Sequence, residues 1–469
     1  MSPMTRHTTA WRTTGALLAF MLVNFADKTV MGLAAQPMMD DLGLSREEFG
    51  TAAAAFFALF SVSALVVSYL TRTVRTTVLL LVLALLWAAA QMPMLWSAAG
   101  FGTLLASRVL LGAAEGPALP VATHHLHGWF AQRERTLPTA ILLTGAAAGV
   151  AVAAPTLTLV IGHFGWRWAF GAVGLAGLVW AGYWVLRGAE GPYAPGGEEN
   201  AEQEGVAVPY RRILLSGTWL SAALGAFAAY WMLSANLTWM PDYLEEVAGL
   251  GPHQAGALVT VAALAGGVVL VGHGLLVRRA SGGVRGRGVG GGVRAGGGVG
   301  EGAGAGGGKG VGKGEGVGGG GGVGVGALMC LAACAVTVFA VTDAVWLKVV
   351  LMLGPMALAN VIMTVAQTAC ARITPAPQRG VVLGALAFVY ALAGVLSPWT
   401  IGRMVDAADS VTAGYRSAFL LTAALLATTG LLAAWRLRPE RDGLRLGSAG
   451  CDEPASEVGG CGVPGAEEG

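Results

Sequence analysis

Charge is scarce in this sequence. Only 12% of its 469 residues are Asp, Glu, Lys or Arg, against about 25% in a soluble domain. A soluble fold of this length has too few charges to cover a chain that is 55% hydrophobic. A bilayer removes the difficulty by putting lipid around the apolar faces. The net charge is only +2, so no basic field points to a nucleic-acid partner. Cysteine is sparse as well. Cys330, Cys334, Cys370, Cys451 and Cys461 make no disulfide framework. Cys330 and Cys334 lie four apart in an apolar run with no histidine or carboxylate beside them, which reads as helix-packing thiols rather than a metal site. The apolar runs do not alternate, which argues against a membrane β-barrel. No nucleophile–base pair or metal-ligand spacing is evident, so the chain reads as no enzyme and as needing no cofactor. The first apolar run leads on into a span rather than to a small-residue cleavage site, so no cleavable signal is expected.

What is present is a series of long apolar runs. At 1.5 Å per residue a span takes about 20 residues. Twelve are expected, near 13–36, 49–70, 77–98, 102–127, 138–162, 166–186, 213–240, 253–277, 322–342, 346–371, 380–402 and 415–436. The fold class is therefore all-α, a polytopic membrane protein. Ser45-Arg46-Glu47-Glu48 has the spacing of a capping box opening the second span. With the N-terminus inside, 22 basic residues fall in inside segments and 5 in outside ones. That bias expects both termini in the cytoplasm.

Two polar stretches divide the chain. Residues 1–186 form an N-terminal six-helix half, 187–212 a cytoplasmic linker rich in Glu, and 213–437 a C-terminal six-helix half. Residues 281–326 contain 27 glycines in 46 positions and have little to bury, so a disordered insert is expected there. The tail 438–469 is expected to be disordered too.

The charges inside spans carry most of the information. One ionisable group at the membrane centre costs on the order of 2.5–3.5 kcal/mol on insertion scales, and such groups usually face a bundle interior or a water-filled path. In span one, Asn24, Asp27 and Lys28 stand at i, i+3 and i+4 and share a helix face. In span four, Arg108 and Glu115 are two turns apart. The two acids and two bases can neutralise one another in an empty site. A carboxylate taken out of water accepts a proton more readily, which makes Asp27 and Glu115 the candidates for proton coupling. Arg108 offers a planar fork suited to a substrate carboxylate. Asn236 in span seven and Tyr390 in span eleven would line the cavity from the other half. His124, His125 and His127 at the end of span four read as interfacial polar residues. Gly145 and Gly149 in span five allow a close helix approach.

Asn24-Phe25-Ala26-Asp27-Lys28 resembles the N-x-x-D-R signature of the anion:cation symporter family of the major facilitator superfamily. Span four is similar to that family through Arg108, Gly112, Glu115, Gly116, Pro117 and Pro120, followed by Trp129-Phe130 and Glu134-Arg135. Gly165-Trp166-Arg167-Trp168 before span six, Thr238 to Leu244 after span seven, and Pro398 and Gly402 in span eleven agree. The resemblance covers residues 13–437 apart from the Gly-rich insert. It implies two six-helix halves, alternating access and import of a small organic anion with a proton, the proton gradient being the energy source. It also implies that Asp27 and Glu115 handle the proton, that Arg108 binds the anion, and that Lys28 fills a second basic position. A monomer in the cytoplasmic membrane is expected. The sequence departs from the superfamily in the loop 71–76 and after span eight, where the usual gating aspartate is missing. Phe25, Ala146 and Tyr390 stand where sugar-acid members tend to have hydroxyl or amide groups, so a less hydroxylated, aromatic carboxylate is favoured. A drug/proton antiporter and a transport-dead membrane sensor are the alternative readings. The antiporter is disfavoured because Val150, not proline, follows Gly149.

Overall fold

The computed structural model describes residues 3–71, 73–131, 134–193, 208–285, 321–375 and 378–446. Its elements are helices joined by short turns: α1 (Pro3–Leu33), α2 (Ala35–Leu42), α3 (Arg46–Ala58), α4 (Phe60–Leu70), α5 (Thr76–Gln91), α6 (Phe101–Glu115), α7 (Ala118–His127), α8 (Thr136–Phe164) and α9 (Trp166–Arg187). There follow α10 (Tyr210–Leu214), α11 (Gly217–Glu246), α12 (Pro252–Arg285), α13 (Gly321–Val341), α14 (Val345–Leu353), α15 (Ala359–Arg372), α16 (Arg379–Asp406), α17 (Val411–Arg436) and α18 (Pro439–Arg445). Among the described residues, 11 helices are long and apolar enough to cross a bilayer. The remaining span is α3 with α4, interrupted at Leu59, so that neither piece qualifies alone. Twelve spans result. The fourth is divided as well, because Pro117 stands between α6 and α7 and cannot donate to the helix ladder.

Several expectations are met locally. Ser45 accepts from the Glu48 N–H while the Glu48 carboxylate accepts from the Ser45 N–H, a complete capping box at α3. Gly145 and Gly149 of α8 lie on α1, where an added Cβ would collide with Met21 and Phe25.

Other expectations need correction. Residues 281–285 continue α12. A helix satisfies its own backbone groups and need not stop where the apolar run stops. Residues 321–326 open α13. There Gly322 and Gly326 lie against the backbone of α17 near Ala433 and Gly430, with no room for a side chain. These glycines are a packing seam. The intervening part of the expected insert, 286–320, lies outside the described residues. In the seventh span α11 runs on to Glu246, so Trp239 to Leu244 belong to the helix rather than following it.

The tail also begins in order. Asp442 of α18 is buried and accepts from both the N–H and the hydroxyl of Thr218, at 3.0 and 2.7 Å. It thereby serves the orphan donors at the start of α11. Burial alone would push the Asp442 carboxyl up, but the Thr218 hydroxyl and N–H and the neighbouring Arg441 hold it below the usual carboxylate range. The stabilisation is thus present above about pH 4 and lost as pH falls further. Asp442→Ala should cost about 1 kcal/mol and lower the unfolding midpoint in detergent. The difference from wild type should shrink in acid, and a midpoint unchanged at neutral pH would refute the cap. Residues 447–469 lie outside the described residues.

At the start of α5 the carboxylate comes from elsewhere in the chain. Glu190, just beyond α9, accepts from the Thr77 N–H and from the Thr76 and Thr77 hydroxyls at 2.8–3.1 Å. The loop before α5 carries no aspartate, and this helix end is held by Glu190. His125 is buried, with Nδ1 at 2.7 Å from the Thr76 hydroxyl.

The two halves meet along α3 against α16, α8 against α12 and α1 against α11. Gly50 faces the backbone of Pro398, and Gly402 faces that of Arg46, each without room for a Cβ. At this end of the bundle Asp406 of α16 accepts from the N–H groups of Arg46 and Glu47 at 3.2 and 2.6 Å. The Arg46 side chain reaches Asp242 of α11 at 3.3 Å and Glu246 at 3.7 Å. Tyr415 donates to the same Asp242 carboxylate, and Gln36 donates to Glu246 at 2.7 Å. These polar contacts and the glycine seam join the halves at the Arg46 end.

Candidate functional site

All four charged residues singled out in spans one and four gather where α1, α5 and α6 meet. Asp27, Arg108 and Glu115 are each no more than 2% exposed, and Asn24 is equally buried. Their pairing differs from a single shared network. Lys28 ion-pairs with Glu115 and donates to the Asn24 side-chain oxygen at 2.7 Å. Its ammonium also lies over the rings of Phe25 and Phe56, at 4.7 and 5.7 Å from their centroids, which favours a cation there.

Asp27 and Arg108 form a second cluster, joined by a residue that sequence reasoning missed. Gln91 donates its amide N–H to Asp27 Oδ1 at 2.5 Å. Its carbonyl oxygen accepts from Arg108 Nη2 at 2.5 Å. Arg108 also donates to the Ser107 hydroxyl at 3.1 Å and stacks over Phe170 at 5.1 Å. Among the described residues no direct ion pair joins Asp27 to Arg108. Two polar atoms remain without a hydrogen-bond partner, Asp27 Oδ2 and Arg108 Nε. A buried carboxylate oxygen without a donor is costly while it carries charge. The arrangement therefore offers a place for a proton on Asp27 and a free donor on Arg108 for an incoming anion.

The other half contributes aromatic surface. Tyr230 of α11 packs between Phe57 of α3, at 5.8 Å, and Tyr390 of α16, at 5.0 Å. Tyr390 thus stands in a row that crosses from one half to the other. Asn236 is half-buried with its side-chain oxygen unpartnered, and among the described residues no hydrogen bond links it to either charged cluster. A groove between α1 and α9, lined by Arg12, Ala19, Leu175 and Tyr183, contains none of these groups.

The model of the Major Facilitator Superfamily matches residues 16–299, more than half of the chain. The chain belongs to the major facilitator superfamily. Members with similar sequences include a hexuronate transporter of Bacillus subtilis, 26% identical over 54% of this chain and 61% of the relative. A D-galactonate transporter of Escherichia coli is 25% identical over 55% of this chain and 66% of the relative. The chain therefore spans about three fifths to two thirds of the length of these curated relatives. Among solved superfamily-like folds, a bacterial homologue of the human lysosomal transporter Spinster, inward-facing and unoccupied, superposes with a TM-score of 0.70. It is 18% identical and covers 94% of this chain and 99% of its own. The superfamily fold agrees with the two helical halves.

Proposed function

We propose that this chain imports a small organic anion through a cell membrane by alternating access, with protons as the coupling ion. The observation that carries this is the Asp27–Gln91–Arg108 cluster, a buried acid with a vacant oxygen two hydrogen bonds from a buried arginine with a free donor. The curated relatives named as hexuronate and D-galactonate transporters support an acid as substrate. Arg108 takes the substrate carboxylate, Lys28 and Asn24 lie beside it, and Asp27 and Glu115 exchange the proton. The aromatic row of Phe57, Tyr230 and Tyr390, with Phe25 under Lys28, favours a carboxylate with an apolar or aromatic body. The reading needs no cofactor and takes the protein to work as a monomer.

The excess of basic residues in one set of loops supports a cytoplasmic position for those loops and both termini. The Arg46 end is then outside, and its contacts between the halves close that side. Arg46→Ala should weaken that seal by about 1–2 kcal/mol, roughly tenfold in the ratio of outward-open to sealed protein. Spin labels at Asp40→Cys and Asp409→Cys in a background without native cysteine should show a new, longer distance population. An unchanged distribution would remove Arg46 from the seal.

The transport reading is tested by reconstituting the protein in liposomes with a panel of radiolabelled carboxylates, aromatic and sugar acids together. Accumulation stimulated by an inward proton gradient is expected, strongest for an aromatic member. No uptake of any member by folded protein would overturn the reading.

A further inference from the structure

We propose that Gln91 is the positioning residue that links the protonation of Asp27 to the grip of Arg108 on the anion. The inference rests on the transport reading above and adds to it a residue outside the family signature of spans one and four.

Gln91 is the last residue of α5, and a 3-10 turn, Met92–Leu95, follows it with Pro93 in its first turn. The third span therefore breaks where the amide sits. Gln91 is fully buried, and Gly174 of α9 faces its Cβ, where an added methyl group would stand only 3.3 Å away. A buried amide in an apolar span needs partners, and this one has two of opposite charge. It offers donors at one end and an acceptor at the other. Only one orientation suits an anionic Asp27 and a cationic Arg108 together, and in that orientation both bonds are charge-assisted.

The consequence follows from the chemistry of the amide. A proton on the vacant Oδ2 turns Asp27 into a neutral acid, and Oδ1 becomes a weaker acceptor. The bond from Gln91 loses its charge assistance, and with it the amide loses its hold on Arg108. The guanidinium is then freer to turn its donors to a carboxylate. In the other direction, an anion that draws Nη2 away from Gln91 leaves Asp27 with less positive charge near it and favours its protonation. Such coupling is reciprocal by linkage. The charged groups acting on Asp27 are Glu115, Arg108 and Lys28. Lys28 and Glu115 are paired with each other, so Arg108, through Gln91, is the partner whose state changes with the substrate.

The test uses full-length protein in liposomes with a carboxylate that wild type accumulates. Two assays run side by side: counterflow exchange at equal pH on both sides, from about pH 5 to 8, and accumulation under an inward proton gradient. For Gln91→Leu the expected result is counterflow within about threefold of wild type at the acid end, a flattened pH profile, and accumulation reduced about tenfold or more. Gln91→Asn, too short to reach both partners at once, should show the same split. A wild-type pH profile and accumulation in Gln91→Leu would overturn the proposal. So would parallel loss of counterflow and accumulation in both variants, which is the mark of a packing role. Wild type that shows no proton-stimulated uptake would instead fail the transport reading itself, before any variant is compared.

Discussion

Asp27→Asn is expected to abolish proton-driven accumulation while leaving exchange of anion across the membrane intact. The substitution keeps the shape of the side chain and an oxygen that accepts from Gln91, so the fold should survive. It removes, of the two acids that exchange the proton, the one linked to Arg108 through Gln91. One proton moving down a gradient of one pH unit supplies about 1.4 kcal/mol, enough for about tenfold accumulation. The variant should bring internal anion to equilibrium and no further, and its exchange should no longer depend on pH. Radiolabel uptake with and without the gradient measures both quantities. Retained pH-dependent accumulation would transfer the proton role to Glu115, which is paired with Lys28.

Arg108→Ala should have the larger effect on binding. The guanidinium is buried, bonded to Gln91 and Ser107 and stacked on Phe170, so it is held ready rather than recruited from solvent. Loss of a charged hydrogen-bonding partner in a desolvated site costs about 2–5 kcal/mol, which corresponds to at least about thirtyfold in anion affinity. Arg108→Lys keeps the charge without the planar fork and should fall between Arg108→Ala and wild type. Binding is read by substrate-induced thermal shift of the purified variants. Equal affinity in Arg108→Ala and wild type would remove Arg108 from the anion site.

The residues differ in how far the sequence reveals them. The helices follow from apolar runs that only lipid can accommodate, and Asp27, Lys28, Arg108 and Glu115 are conspicuous because a charge in such a run is costly. Their pairing was not legible. Helix spacing puts Asn24, Asp27 and Lys28 on one face, but the neighbouring helices decide which partner each one meets. Asp27 turns to Gln91 of α5, and Lys28 to Glu115 of α6. Gln91 escaped notice because a single neutral amide near the end of a span is a weak signal. The polar residue beside Pro93, where the helix breaks, was the available clue. Phe57 and Tyr230 are ordinary residues for a span until tertiary packing sets them in a row with Tyr390. Gly322 and Gly326 read as disorder by composition, yet contact with α17 makes glycine the residue that fits. Asp442 likewise reads as one charge in an unstructured tail, because only the fold brings Thr218 to it.

The central claim is that proton and anion move together, and proton movement can be read directly. Liposomes containing the protein and a pH-sensitive dye, with equal pH inside and out and the membrane potential clamped, are given an external carboxylate that the protein accepts. The account predicts acidification of the interior in step with anion uptake, absent in Asp27→Asn. Anion uptake with no change in internal pH would contradict it.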